Sequence, residues 1–341
     1  MARTTPHRPV DIAAIFPKLR THVGTTTRLH PRPGMPTVHD SSAGGPLLWP
    51  ADEPWPHCED GHDYLFQPHR PETVRRWRRI LGAAWGRTRR GEQLQLTEQE
   101  RAELPDLDDC APAELAEQPI AMVPVLQLYR RDAPGFLGPD AADLLQVLWC
   151  PLDHGELGYN PRVLPVWRRA ADVGEVLPAP PEPLIVSASY LPEPCLLHPE
   201  QVREYEYGGL LPQELDERIQ KWEEDQEERC ADDEPAHSYQ FDLSIAPGWK
   251  LGGFASWHLT DPHPVDCGEC GEPMRLLLTI ASHEWDGGSG SWRPIEDAAP
   301  GEFSSLHGDN SPTAVSIGRS YSLWIFYCPV SFDHPHGTAM Q

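Results

Sequence analysis

The chain has 341 residues, 39% of them hydrophobic, and its 52 acidic against 28 basic side chains give a net charge of -24. That length exceeds an ordinary single domain and predicts two packed units, while the charge repels nucleic-acid phosphates and anionic membranes, so nucleic acid is disfavoured; an acidic surface of this kind serves simple solubility and also suits a basic protein partner. No segment reaches the roughly 20 apolar residues of a membrane helix, and MARTTPHRPVDIAAIFPKLR lacks the apolar stretch of a secretory signal, so the expectation is a cytoplasmic protein with no membrane segment.

Eight cysteines are too sparse for a secreted disulfide scaffold. Clustered thiols in a reducing compartment are more often metal ligands than bridges, so their spacing carries the information. In chain order, Gly44 and Gly45 lead to Trp49 and, after a Pro-rich loop with Trp55, to Cys58 and His62. An insertion from about 70 to 118 follows. It carries the helix-like TVRRWRRILGAAWG, and TEQERAEL, which opens on a Thr-x-x-Glu capping pattern. The apolar run from Met122 to Leu128 and the run LLQVLW have the length of buried strands, and the second ends in Cys150-Pro151 and Asp153-His154. VLPAPPEPL reads as a linker or edge loop, LPQELDERIQKWEEDQEER as a helix, and ADDEPAH as an acidic loop.

The same landmarks then recur in order. Gly252 and Gly253 precede Trp257, Cys267 and Cys270; the Met274 strand follows, and a final strand ends in Cys328-Pro329 and Asp333-His334. The expected architecture is therefore α+β, with two diverged copies of an antiparallel β unit and helical insertions. The expected segments are a first β repeat over 1–170, a Pro-rich linker with an acidic helix over 171–239, and a second β repeat over 240–341. Paired glycines at equivalent places point to backbone that turns tightly or is closely approached.

Cys267-Gly-Glu-Cys270 presents two thiolates to one metal ion. Cys328 with His334 or His336 completes four ligands if the last strand returns beside the knuckle. The first unit offers Cys58, His62, Cys150 and His154. Each set has the composition of a structural zinc site, closed to water. If only Cys328 joins the Cys267–Cys270 knuckle, an open position returns and with it a metal-dependent hydrolase. Arg70, Arg75, Arg76, Arg78, Arg79, Arg87, Arg89 and Arg90, with Trp77 and Trp85, form a basic cluster. In isolation it would make an RNA-binding module, whereas in so acidic a chain the helix around Glu223, Glu224, Asp225, Glu227 and Glu228 is the expected partner. No phosphate-binding loop, His-Glu-x-x-His or nucleophile-elbow motif occurs, and Gly287-Gly288-Ser289-Gly290 reads as a flexible loop. Histidines next to proline, His7, His30, His69, His198 and His263, read as loop residues. The tryptophans Trp55, Trp257, Trp285, Trp292 and Trp324 read as packing residues.

The combination resembles the bacterial YwqG-like family, whose function is unknown. The carriers are Gly44-Gly45-Pro46, Trp55-Pro56, Cys58, Met122 to Gln127, Leu145-Gln146-Val147, Cys150-Pro151, Lys250-Leu251-Gly252-Gly253, Trp257, Cys267, Cys270 and Cys328. The Lys-x-Gly-Gly, Trp, Cys-x-x-Cys and strand-Cys pattern is also similar, more distantly, to the programmed-cell-death-two and Tsr-type proteins, which escort a basic ribosomal protein. The resemblance implies antiparallel sheets and a protein-binding role. His62 replaces the second knuckle cysteine of the first unit, and the arginine-rich insertion departs from the pattern. The expectation for function is a non-enzymatic, chaperone-like or toxin-neutralising binding protein.

Overall fold

The computed structural model describes residues 2–62, 67–88, 92–107, 110–229, 236–297 and 310–341. Arg89 and Arg90 of the basic cluster, residues 231–235 of the acidic loop and Cys230 lie outside the described residues. The strands, in chain order, are β1 (Val23–Arg28), β2 (Arg32–Pro33), β3 (Ser42–Ala43), β4 (His57–Cys58), β5 (Ile120–Ala121), β6 (Val123–Tyr129) and β7 (Leu144–Trp149). They continue with β8 (Val163–Arg168), β9 (Cys195–Leu196), β10 (Glu200–Tyr205), β11 (Lys250–Gly252), β12 (Arg275–Ala281), β13 (Ser322–Tyr327) and β14 (Gly337–Met340). The α-helices are α1 (Ile12–Ile15), α2 (Pro71–Trp85), α3 (Glu98–Glu103) and α4 (Gln213–Arg229).

All pairings between strands are antiparallel, and the fold is α+β. One six-stranded sheet runs β10-β1-β11-β12-β13-β14, the other β2-β9-β3-β6-β7-β8, and β4 pairs with β5 alone. The two Met-strands and the two Cys-Pro strands form the centres of their sheets. β6 lies beside β7 and β12 beside β13, each pair with a register slip, at Pro124/Leu126 and at Leu276/Leu278. The short strand before each pair, β3 or β11, ends at a left-handed glycine, Gly44 with φ 61° and Gly252 with φ 66°. A Cβ on Gly44 would fall 2.9 Å from the Pro192 carbonyl oxygen, so only glycine fits there.

Runs without polar alternation signal burial on both faces. β7 is buried at all six positions, and Leu126, Leu128 and Trp149 share one apolar core with Leu251, Leu278 and Ile325 of the other sheet. The one polar residue of that run, Gln146, is matched inside by Gln127, whose side-chain oxygen accepts its amide at 2.9 Å. The expected segments are interleaved by the pairing: β1 from 1–170 and β10 from 171–239 join the strands of 240–341 in one sheet. Short bursts of mixed residues such as Thr25-Thr26-Thr27 give no sign of which sheet they will enter, because register is set by contacts remote in sequence.

The helices follow their local chemistry. Thr97 caps α3 in a reciprocal box with Glu100, and α4 buries only Leu215 and Ile219 on one side. Val176-Leu-Pro-Ala-Pro-Pro-Glu-Pro-Leu is tied at its start, where the Leu177 N–H donates to the Trp49 carbonyl at 2.8 Å. Among the described residues no helix is long and apolar enough to cross a membrane.

Candidate metal centres

Both expected ligand sets converge. The ligand atoms of Cys58, His62, Cys150 and His154 lie within 4.8 Å of one another, and so do those of Cys267, Cys270, Cys328 and His334. In the first set, pairing of Cys58 with Ile120 across β4 and β5 fixes one thiol. The end of β7 supplies Cys150, anchored by its N–H on the Arg162 carbonyl at 2.9 Å. Cys150 Sγ is 3.3 Å from His62 Nε2, Cys58 Sγ is 3.8 Å from His154 Nε2, and the two imidazole centroids are 5.0 Å apart. His62 Nδ1 donates to the Ala116 carbonyl at 2.9 Å, which fixes the tautomer that turns the Nε2 lone pair inward.

In the second set the knuckle closes by Gly271 N–H donating to Cys267 O at 2.8 Å and Cys267 N–H donating to Glu272 O at 2.9 Å. The glycine this turn requires is Gly271, at φ 74°, whereas a Cβ on Gly268 inside the knuckle would meet nothing within 4 Å. Cys267 Sγ lies 3.6 Å from His334 Nδ1, and Cys270 Sγ lies 3.5 Å from Cys328 Sγ. The alternative ligand His336 is turned away: it packs on Val163 and Arg162, and burial lowers its basicity.

These separations suit a tetrahedral ion. Zn–S bonds of about 2.3 Å and Zn–N bonds of about 2.0 Å require S···S edges of about 3.8 Å and S···N edges of about 3.5 Å. The seven described cysteines are all free thiols, so no disulfide competes for the eight ligand positions. Both sets can therefore hold a metal ion. A third grouping, Asp60, His154 and Glu156, shares His154 with the first set, and Arg162 pairs with both of its carboxylates.

The electrostatics differ between the sets. Hydrogen bonds from Cys150 first, then from His154 and His62, pull the Cys58 thiol far down. Burial, and then the Cys58 thiolate, push Cys150 up. For His62 burial lowers the imidazole, but Cys58 and the Ala116 carbonyl outweigh it and raise the group. In the second set the backbone N–H groups of Cys270 and Glu269 lower Cys267. Burial opposes ionisation of Cys328, yet the N–H groups of Ser331 and Val330, with Cys270 and His334, bring it down to about 6. His334 is raised by Cys328 and Cys267. Each set thus places a lowered thiol against a raised imidazole, a proton-sharing pair whose proton a bound metal ion would displace.

Around these sets the aromatic residues pack as expected. Trp55 lies 5.1 Å from Trp49 and donates from Nε1 to the Met122 carbonyl, while Trp257 stacks edge-on to Trp324 at 4.9 Å. The basic cluster is partly consumed within the chain, with partners other than α4: Arg75 pairs with Glu182, Arg78 with Glu193 and Arg87 with Glu100. Two further expectations are corrected. Gly288 and Ser289 are held by the Asp286 carboxylate, which accepts from both N–H groups, so a side chain organises that loop. His30 does lie in the connection between β1 and β2, but it is not an exposed loop residue: it is 1% exposed and bonded to Glu284.

His30 belongs to a buried ionic array that motif reasoning passed over. Arg28 is 1% exposed and donates to Thr5 Oγ1 and the Trp292 carbonyl, while Arg32 bonds both Glu284 and Asp297. Nearby, Lys250 Nζ donates to Glu204 Oε1 at 2.6 Å with both side chains buried. Arg28, His30 and Arg32 stand at every second position across a bend at His30, whose backbone takes a left-handed φ of 44°, and Glu284 draws His30 and Arg32 together. No known family model matches the chain, and no curated protein matches its sequence.

Proposed function

We propose that the protein is a non-enzymatic binding protein, chaperone-like or toxin-neutralising, whose two sheets are each stapled by a zinc ion and whose partner is a basic protein. This reading takes the chain as a YwqG-like protein and its sheets as diverged copies of one unit; the shared order of β3-β6-β7-β8 and β11-β12-β13-β14 supports it. The observation that carries the functional part is the closure of both ligand sets. Four Cys and His donors surround each centre, so a bound ion keeps no position for water or substrate. Inclusion of His334 in the second set counts against the hydrolase that three ligands would permit. Mixed thiolate and imidazole donors favour zinc over magnesium or calcium.

For the partner, α4 offers exposed Glu214, Glu217, Glu224, Glu227 and Glu228, and past Ile219 its apolar contact is the half-buried Trp222 edge-on to Phe16. A basic surface docking there gains long-range attraction that salt screens over about 8 Å at physiological ionic strength. The test is binding of purified basic ribosomal proteins, against acidic proteins of similar size, to the full chain. Salt-sensitive retention of the basic set, weakened about tenfold by combined Glu224→Gln, Glu227→Gln and Glu228→Gln substitution, is expected. Equal retention of both sets, or substrate turnover that a pocket mutation abolishes, would contradict the reading.

A further inference from the structure

One cavity among the described residues shares no lining residue with either ligand set. It is a cleft of about 1340 Å³ between α2 and the Gly44-Gly45-Pro46 turn, walled by Pro180-Pro181-Glu182-Pro183 and Pro192-Glu193-Pro194. Small-molecule sites occupy about 300–1,000 Å³, so the space suits a longer ligand. Its charge is opposite to that of the chain. Five arginines against three carboxylates line it, in a protein with 28 basic and 52 acidic side chains.

The arginines are unevenly committed. Arg32 is held by Glu284 and Asp297, and Arg78 is buried against Glu193 and three backbone carbonyls. Arg75 and Arg79 stand one turn apart on the exposed face of α2. Arg75 meets only Glu182 across the rim, in a pair whose side chains are half exposed, and Arg79 makes no ion pair among the described residues. A solvent-exposed pair of that kind is weak and exchanges readily for another carboxylate. One further turn on, Gly82 leaves the helix wall bare, and a Cβ there meets nothing within 4 Å. Among the described residues no aromatic side chain lines the cleft, so those residues offer no platform for the base stacking that usually holds single-stranded nucleic acid. Proline faces with glycine gaps instead match the flat edges of an extended polypeptide.

We propose that this cleft binds an extended acidic segment of a partner polypeptide, its carboxylates taken by Arg75 and Arg79 and its backbone passing over Gly82. The site is separate from α4, and its test does not depend on the partner proposed there. A displayed random-peptide library is selected on the immobilised full chain and counter-selected on Gly82→Leu. That substitution fills the cleft and raises the helix propensity of α2. The expected product is a set of Gly82-dependent sequences with net negative charge. The affinity of a synthetic peptide from the set should fall at least about tenfold in Arg75→Glu/Arg79→Glu, with an unchanged melting temperature. Enrichment of neutral or basic sequences, or of none that depend on Gly82, would overturn the proposal. Retention of a uridine oligonucleotide that the double arginine variant abolishes would overturn it in favour of nucleic acid.

Discussion

The two ligand sets differ in burial and in charge, and the differences go together. In the first, Cys58, Cys150 and His154 are all within 2% of complete burial, inside an apolar cluster with Trp49, Trp55, Ile120 and Leu148. In the second, Cys267 and Cys328 are buried but Cys270 faces solvent. Two thiolates and two imidazoles around a divalent ion sum to zero, whereas three thiolates and one imidazole leave one negative charge. An uncompensated charge is expensive away from water, so the neutral composition belongs in the core and the anionic one at the surface. His62, where the second set has a third cysteine, is on this account what makes the first set neutral.

The sharpest way to break that comparison is to remove one thiol from each set. Cys150→Ser should cost at least about 3 kcal/mol of stability, because it removes a staple and leaves polar groups unmatched in the core. Cys270→Ser should cost less than half as much; equal losses by chemical denaturation would remove the distinction between core and surface sets. A smaller effect is kinetic. With a chelator in excess, zinc-loaded protein should release metal in two phases, the faster of which disappears in Cys270→Ser. A single phase at stoichiometric release of two ions would contradict the difference in access.

The smallest effect is in pH. The folded His334 imidazole is raised above its ordinary value by Cys328 and Cys267. Its contribution to the metal-free protein is therefore full below the ordinary histidine value and is lost as pH rises through the raised one. Metal competes with those protons. The gain in melting temperature on zinc addition should accordingly be larger at pH 8 than at pH 6, and a gain that shrinks over that interval would refute the assignment.

How much of this was legible follows from where the information lies. All eight candidate ligands could be named because each is tied to a local marker, a Cys-x-x-Cys turn, the Cys58-x-x-x-His62 spacing or a Cys-Pro strand end followed by Asp-His, and the Met122 and Met274 runs announced their own burial. The entry of β1 and β10 into the sheet of β11 to β14 was not legible, since Thr26 pairs with both Val202 and Gly252 only through long-range closure. The array of Arg28, His30, Arg32 and Glu284 escaped for a related reason: Glu284 lies some 250 residues away, and proline beside His30 reads locally as a loop. The cleft is likewise a property of shape. Arg75 and Arg79 are visible in the sequence as a basic cluster, but the proline walls that face them come from two other segments.

The central claim, two closed zinc staples, is tested most directly by metal content per chain, measured by mass spectrometry on untagged protein and on folded Cys58→Ser and Cys267→Ser variants. The account predicts two zinc ions in the unaltered chain and one in each variant. Absence of metal after purification in zinc-containing buffer, or retention of both ions in either variant, would contradict it.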